Sequence, residues 1–127
     1  MALTREYRET VLARLRSDSG FTAALFAEAL TALTEGDKAT TLSIFRDLVH
    51  AHISFKRLAE QTGLDEKTLH RMLSERGNPT TENLVRIIRT IEQDLGLSTS
   101  IEAQQAKHVG SPARSRQAHR MPALVPA

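Results

Sequence analysis

The stretch from Ser54 to Leu73 constrains the fold of this chain more than any other part of it. Ser54 can cap a helix, because its hydroxyl can accept from the free backbone N–H groups of the first turn. Gly63 suits a reversal between two helices, which often needs a positive φ, and Asp65 can cap a second helix. Apolar residues recur at helical spacing in both segments, at Phe55, Leu58 and Ala59 and then at Leu69, Met72 and Leu73. The stretch therefore predicts two short helices joined by a glycine turn, the arrangement called a helix-turn-helix.

The rest of the chain as far as Gly96 has the same helical periodicity. Residues of about 4–16 predict a first amphipathic helix, a second stops at Gly36, Asp37 caps a third, and Thr80 caps a last one. The expected inward residues are Leu3, Tyr7, Val11, Leu12 and Leu15; Phe21, Leu25, Phe26, Ala29, Leu30 and Leu33; Leu42, Phe45, Leu48, Val49 and Ile53; and Leu84, Ile87, Ile88, Ile91 and Leu95. No segment alternates as a strand does. The sequence predicts an all-α fold, a compact bundle of about six helices with a disordered C-terminal tail.

The tail begins at Ser98, where the periodicity disappears. Its prolines, scattered arginines and few bulky apolar residues cannot bury enough surface to offset the entropy of ordering. We expect three regions: residues 1–53, an N-terminal helical extension packed on the core; residues 54–97, the helix-turn-helix; and residues 98–127, a disordered basic tail. This tail either remains solvated or contacts phosphates or an acidic partner.

The net charge of +2 is unevenly distributed. Residues 98–127 contain four basic side chains and one acidic, which leaves 13 basic against 14 acidic side chains in residues 1–97. The body of the chain is therefore not a basic patch by composition. Any phosphate-binding charge must come from local arrangement, from the tail or from dimerisation.

Several classes of function are disfavoured by what the sequence lacks. Without cysteine there can be neither disulfides nor thiolate metal sites, and no apolar run reaches the roughly 18 residues of a membrane span. His50 and His52 are two residues apart on a predicted helix and so point in different directions, which argues against a metal site. Phosphate loops, nucleophile elbows and HExxH motifs are also absent. We expect a cytoplasmic protein that is not an enzyme and has no metal, cofactor, membrane or small-molecule substrate.

Specific residues also carry a family resemblance. Ser54, Leu58, Ala59, Gly63, Leu64, Leu69 and Met72, followed by Gly77-Asn78-Pro79-Thr80 and an apolar helix, resemble the Cro/repressor-type (Xre-like) helix-turn-helix. The loop from Leu73 to Thr80, the upstream LTEGD and the phrase SFKRLAEQTGL resemble the HigA-like addiction-module antidote proteins. These are bacterial antitoxins usually encoded beside a RelE/ParE-type toxin. The resemblance covers roughly residues 3–96 and leaves the tail outside.

The resemblance implies that the second helix of the pair lies in a DNA major groove. The implied base-reading residues are Glu66, Lys67, Thr68, His70 and Arg71, and the implied phosphate-binding residues are Ser54, Lys56, Arg76, Asn78, Thr80 and Thr81. Arg71 can pair with guanine O6 and N7, Glu66 can accept from cytosine N4, and Thr68 can touch a thymine methyl group. The alternative is that these polar residues are only the solvated face of a small helix.

One residue departs from the family pattern. The position after the Ser54 cap is often glutamine in related repressors, where it helps to fix the helix on DNA, but this chain has Phe55. That contact is lost, and packing of the ring inside the protein is the alternative.

The function implied is that of an antitoxin and repressor. We expect a homodimer that binds an operator palindrome in double-stranded DNA and contacts a RelE/ParE-type toxin, through the N-terminal helices or the tail. Two alternatives are open: a stand-alone transcriptional regulator without a toxin, and a helical adaptor that has lost DNA binding.

Overall fold

The computed structural model describes residues 5–106, and every regular element in that range is helical. In chain order the elements are α1 (Arg5–Ser17), α2 (Ser19–Thr34), α3 (Lys38–Leu48), a π-helical turn (Val49–Ile53, hereafter the π-turn), α4 (Phe55–Thr62), α5 (Glu66–Met72) and α6 (Thr81–Leu95). Residues 5–106 contain no strand, so the predicted all-α fold with six α-helices is confirmed. Residues 98–106 have neither helix nor strand, and the predicted disorder from residue 107 onward lies outside the described residues.

The helix boundaries follow the polar caps in the sequence. Asp18 alone separates α1 from α2, and its carboxylate accepts from the backbone N–H of Phe21 at 3.0 Å. Asp37 caps α3 by accepting from Thr40 N at 3.2 Å. Gly20, two residues after the Asp18 cap, lies inside α2. One side chain, that of Asp18, is enough to separate the two helices, because it satisfies a backbone N–H group in the first turn of α2.

The third helix does not continue to Ile53 as an α-helix, contrary to the sequence interpretation. It widens into the π-turn, where the backbone N–H of Ser54 donates to Val49 O, five residues earlier, at 2.8 Å. Ser54 then has φ 91° and ψ 147°, and among residues 5–106 it is the only non-glycine with a positive φ. Its hydroxyl accepts from Arg57 N at 3.1 Å, so the predicted cap is confirmed in an unusual backbone conformation.

The helix-turn-helix is formed by α4 and α5. Gly63 has φ 74° and donates its N–H to Ala59 O at 2.9 Å, which ends α4 in the left-handed conformation expected there. Asp65 caps α5 by accepting from Thr68 N at 3.2 Å. The predicted pair of helices and the glycine turn between them are therefore both present.

All six helices and the π-turn contribute to one hydrophobic core. Its fully buried members come from both halves of the chain: Leu15, Leu42, Phe45, Leu48, Val49, Leu58, Leu69, Leu73, Ile87 and Ile91. The expected inward face of α1 is partly wrong, because Tyr7 is 56% exposed and only Leu15 is fully buried. Leu3 lies outside the described residues. No helix in residues 5–106 is long and apolar enough to cross a membrane.

Candidate nucleic-acid interface

Helix α5 has one buried side and one exposed side. Leu69 and, just past the end of the helix, Leu73 are fully buried and hold α5 against the core, with Met72 packed beside them. The predicted base-reading residues lie on the other side. Glu66, Lys67, His70 and Arg71 are exposed and Thr68 is half-buried. All five are therefore at the surface.

An open groove of about 280 Å³ joins α5 to the start of α6. It is lined by Thr68, Arg71, Met72, Arg76, Gly77, Asn78, Pro79, Thr80 and Asn83. The fold thus unites two predicted base-reading residues with three predicted phosphate-binding ones. None of the lining residues is acidic and two are arginines, so this groove is cationic although the body of the chain is not.

The wall of the groove at α6 is the beginning of a helix. Thr80 caps α6 by accepting from Asn83 N at 3.2 Å, and Thr81 is the first helical residue. Free N–H groups and the positive end of the helix dipole favour an anion at such a position. The groove therefore combines two guanidinium groups with a helix N-terminus.

Gly77 allows the loop after α5 to fold back against the helix. A Cβ atom at this position would lie 1.9 Å from the carbonyl oxygen of Met72, a distance that no side chain can adopt. The N–H of Gly77 donates to Ser74 O at 2.9 Å and closes the turn. The sequence identified Gly77 only as part of a motif, whereas the structure shows that it sets the positions of Arg76 and Asn78.

The remaining predicted residues lie outside the lining of the groove. Glu66, Lys67 and His70 are elsewhere on α5, Thr81 follows the groove on α6, and Ser54 and Lys56 are exposed at the start of α4. The Ser54 hydroxyl already accepts a hydrogen bond from Arg57 N. It can still donate its own hydrogen, which is what a phosphate contact would need.

Lys38 is a cation near the groove that the sequence did not single out. Its Nζ donates to Asn78 Oδ1 at 3.5 Å from the start of α3, 40 residues earlier in the chain. No local pattern in the sequence could have revealed this pairing.

Phe55 is packed under the surface of α5. Its ring is 4% exposed and lies parallel to the imidazole of His70, with centroids 3.8 Å apart and planes 16° apart. His50, in the π-turn, has its ring centroid 4.9 Å from that of Phe55 at 60°. The packing alternative for Phe55 is therefore confirmed, and His70 rests on an aromatic surface.

A partly buried ion pair links α1 to α3. Arg8 Nη2 is 3.0 Å from Asp47 Oδ1, a contact with the distance of an ion pair but without the alignment of a hydrogen bond. Burial raises the pKa of Asp47, and Arg8, Arg46 and His50 oppose that shift. Partial burial also lowers the pKa of His50, aided by Arg8, His70 and Arg46 and opposed by Asp47. The sequence did not predict that Asp47 would be buried.

Two arginines connect the helix-turn-helix to other helices. The guanidinium of Arg46 on α3 donates to the carbonyl oxygen of Leu73, one of the groups left without a helical partner at the end of α5. Arg57 on α4 forms an ion pair with Asp94 on α6 at 2.9 Å. The first contact holds the end of α5 against α3, the second joins α4 to α6, and both connect residues far apart in sequence.

His52 has a structural role. Its Nε2 is 3.2 Å from Thr22 Oγ1, and that hydroxyl donates to Leu15 O at 2.8 Å, so His52 is the donor to Thr22. Within residues 5–106, no three His, Asp or Glu side chains are placed to share a metal ion.

Comparisons with known proteins do not place this chain in a family. It matches no protein-family model, no curated protein and no solved structure at a significant level.

Proposed function

We propose that the chain is a DNA-binding antitoxin and transcriptional repressor of a type II toxin–antitoxin module. It binds an operator palindrome and neutralises a RelE/ParE-type toxin by direct contact. The observation that supports this best is the groove with two arginines and no carboxylate, continuous with the exposed side of α5. The mechanism is binding alone, without a chemical step.

Each part of the groove has a distinct task in this proposal. Arg71, on α5, pairs with guanine O6 and N7 in the major groove. Arg76 and the free N–H groups at the start of α6 hold phosphates and set the register of the helix on the duplex. The cationic lining supplies locally the charge that the composition of the body lacks.

Two-fold symmetry completes the DNA-binding model. In a homodimer the two copies of α5 lie about one turn of DNA apart, roughly 34–36 Å, and read the two halves of a palindrome. The toxin is bound by the N-terminal helices or by the tail.

The DNA-binding part is tested by titrating the full chain against duplexes from upstream of its own gene. We expect Arg71→Ala to cost about 1–3 kcal/mol on the preferred duplex and to relax its sequence preference. Arg76→Ala should weaken all duplexes about equally and reduce the salt dependence, because it removes a phosphate contact.

The matched control is Arg16→Ala, which removes the same charge from an exposed position at the end of α1. It should leave both affinity and preference nearly unchanged. If Arg71→Ala behaves like this control, α5 does not read bases. If the wild-type chain binds no duplex even at low salt, the adaptor alternative replaces DNA binding.

The toxin-binding part is tested by co-expressing the chain with the product of the adjacent gene. Co-purification of a small basic protein whose toxicity the chain suppresses supports the antitoxin. Operator binding without any such partner favours a stand-alone regulator instead.

A further inference from the structure

The three rings beside α5 come from three consecutive elements of the chain. His50 lies in the π-turn, Phe55 is the first residue of α4, and His70 is on α5. The centroids of His50 and His70 are 6.3 Å apart, and both rings contact Phe55. We call these residues the ring stack. It occupies the position at which the helix-turn-helix joins the rest of the bundle.

Stacking restricts a side chain that would otherwise be mobile. His70 is exposed, and an exposed side chain on a helix usually samples several rotamers. Here the parallel contact with the buried Phe55 ring favours one orientation of the imidazole. The entropy cost of ordering that side chain is then met during folding, so less of it remains to oppose binding.

The surroundings of the ring stack also hold it in place. Phe55 is packed in the core cluster together with Leu15 of α1, Leu48 of α3 and Val49 of the π-turn. Because the support comes from α1, α3 and the π-turn, the orientation of His70 depends on more than α5 itself.

We infer that Phe55 and His50 are positioning residues that fix the imidazole of His70 for donation to one acceptor, a purine N7 or guanine O6, in the major groove. This inference rests on the proposed function. Phe55 thereby replaces a direct DNA contact with an indirect one, and it acts on sequence preference through His70 rather than by touching the duplex.

The first test is a spectroscopic one that needs no DNA. Protons above the face of a benzene ring resonate upfield, so the ring protons of His70 should be shifted upfield in the NMR spectrum of the full chain. Phe55→Leu should move these signals downfield to ordinary histidine positions. The matched control is Phe26→Leu, because Phe26 is also buried and aromatic but contacts Phe45 in another part of the core.

The second test is selection of preferred duplexes from a randomised operator. His70→Ala should relax the preference at one base pair by about fivefold or more. Phe55→Leu should relax the same base pair, and the double variant should be no worse than His70→Ala, because both changes remove one interaction. Phe26→Leu should leave that preference unchanged.

The outcomes separate this inference from the proposed function. If the wild-type chain binds no duplex, both are overturned. If the wild-type binds and His70→Ala relaxes one base pair but Phe55→Leu relaxes none, only the positioning role is overturned. A loss in Phe55→Leu that is equal for all sequences has the same consequence.

A second variant applies if Phe55→Leu does not fold. His50→Ala changes an exposed residue at the edge of the ring stack. It should shift the His70 signals and weaken preference at the same base pair. If it changes neither, the inference is overturned.

Discussion

Gly77 is the residue whose replacement the backbone tolerates least. A methyl group there would collide with the carbonyl oxygens of Met72 and Arg71, which belong to the end of α5 and cannot move independently. We expect Gly77→Ala to lower the free energy of unfolding by at least about 2 kcal/mol. The measurement is urea unfolding followed by circular dichroism.

Gly20→Ala is the control for this prediction. Gly20 lies inside α2, and a Cβ there would meet its nearest atom, Asp18 Oδ1, at an ordinary 3.5 Å. Because alanine favours helix over glycine, Gly20→Ala should stabilise the protein by up to about 1 kcal/mol. An equally stable Gly77→Ala variant would show that the loop can rearrange without cost.

His50 predicts how stability responds to mild acid. Its pKa is below the ordinary value of 6.5 in the folded chain, so just below pH 6.5 the unfolded chain binds more protons. Protonation of His50 therefore favours the unfolded chain, and the protein loses stability as the pH falls from 6.5 towards the lowered pKa of His50. We expect the fall in stability between about pH 7.5 and about pH 6 to be smaller in His50→Gln than in the wild-type, by urea unfolding.

Asp47 acts in the opposite direction at lower pH. Its pKa is raised from 3.8, so over the window above 3.8 the folded chain binds more protons and acidification favours the fold. Asp47→Asn should remove this effect, so that urea unfolding of the variant shows less stabilisation on acidification than the wild-type does in this window. For the preceding prediction, the contradicting outcome is a dependence of stability on pH that is the same in the wild-type and in His50→Gln.

At the scale of elements, the helix ends were the most predictable feature. Asp37, Ser54, Asp65 and Thr80 were identified as caps from sequence, and each accepts a hydrogen bond from the N–H group three residues later. Gly63 ends α4 with the positive φ that was expected of it, and Gly96 ends α6 in the same way. Caps depend on a few consecutive residues, so a single sequence contains the information needed to find them.

The features that could not be predicted from the sequence are those that depend on residues far apart in the chain. Nothing near Arg46 indicates that it reaches Leu73, 27 residues away. The exposure of Tyr7 follows from how α1 sits on the bundle rather than from its periodicity. The exposed face of α5 was predictable from spacing, but the groove was not, because α6 and the loop at Gly77 complete it.

Ser54 joins two elements and supports a further prediction. Its cap hydrogen bond stabilises α4, while φ 91° is a conformation that glycine adopts more readily than serine. Ser54→Ala loses the cap and keeps the strain, whereas Ser54→Gly loses the cap and relieves it. We expect the alanine variant to be less stable than the glycine variant by about 1 kcal/mol in chemical unfolding.

At the scale of the whole molecule, the helix-turn-helix and the N-terminal helices share one core. Phe45 and Leu48 from α3 are buried in the same cluster as Leu58, Leu69 and Ile87 from the later helices. A fragment of residues 54–127 would expose that apolar surface to water. We expect it to lack a cooperative thermal transition by circular dichroism.

The control for the fragment is residues 1–106, which keeps every helix of the described part of the chain. It should unfold in a single transition at nearly the temperature of the full chain. A cooperative transition in the 54–127 fragment would instead show that the predicted boundary at residue 53 separates two autonomous domains.

The π-turn also fixes how long the connection between the two halves must be. Each residue in a helix advances the chain by about 100° around its axis, so removing one from Val49–Ile53 would swing everything after it through that angle. The rotated half would carry Phe55 away from the core and α5 away from Arg46. The number of residues in the π-turn therefore sets the angle at which α4 and α5 follow α3, whichever side chains the segment carries.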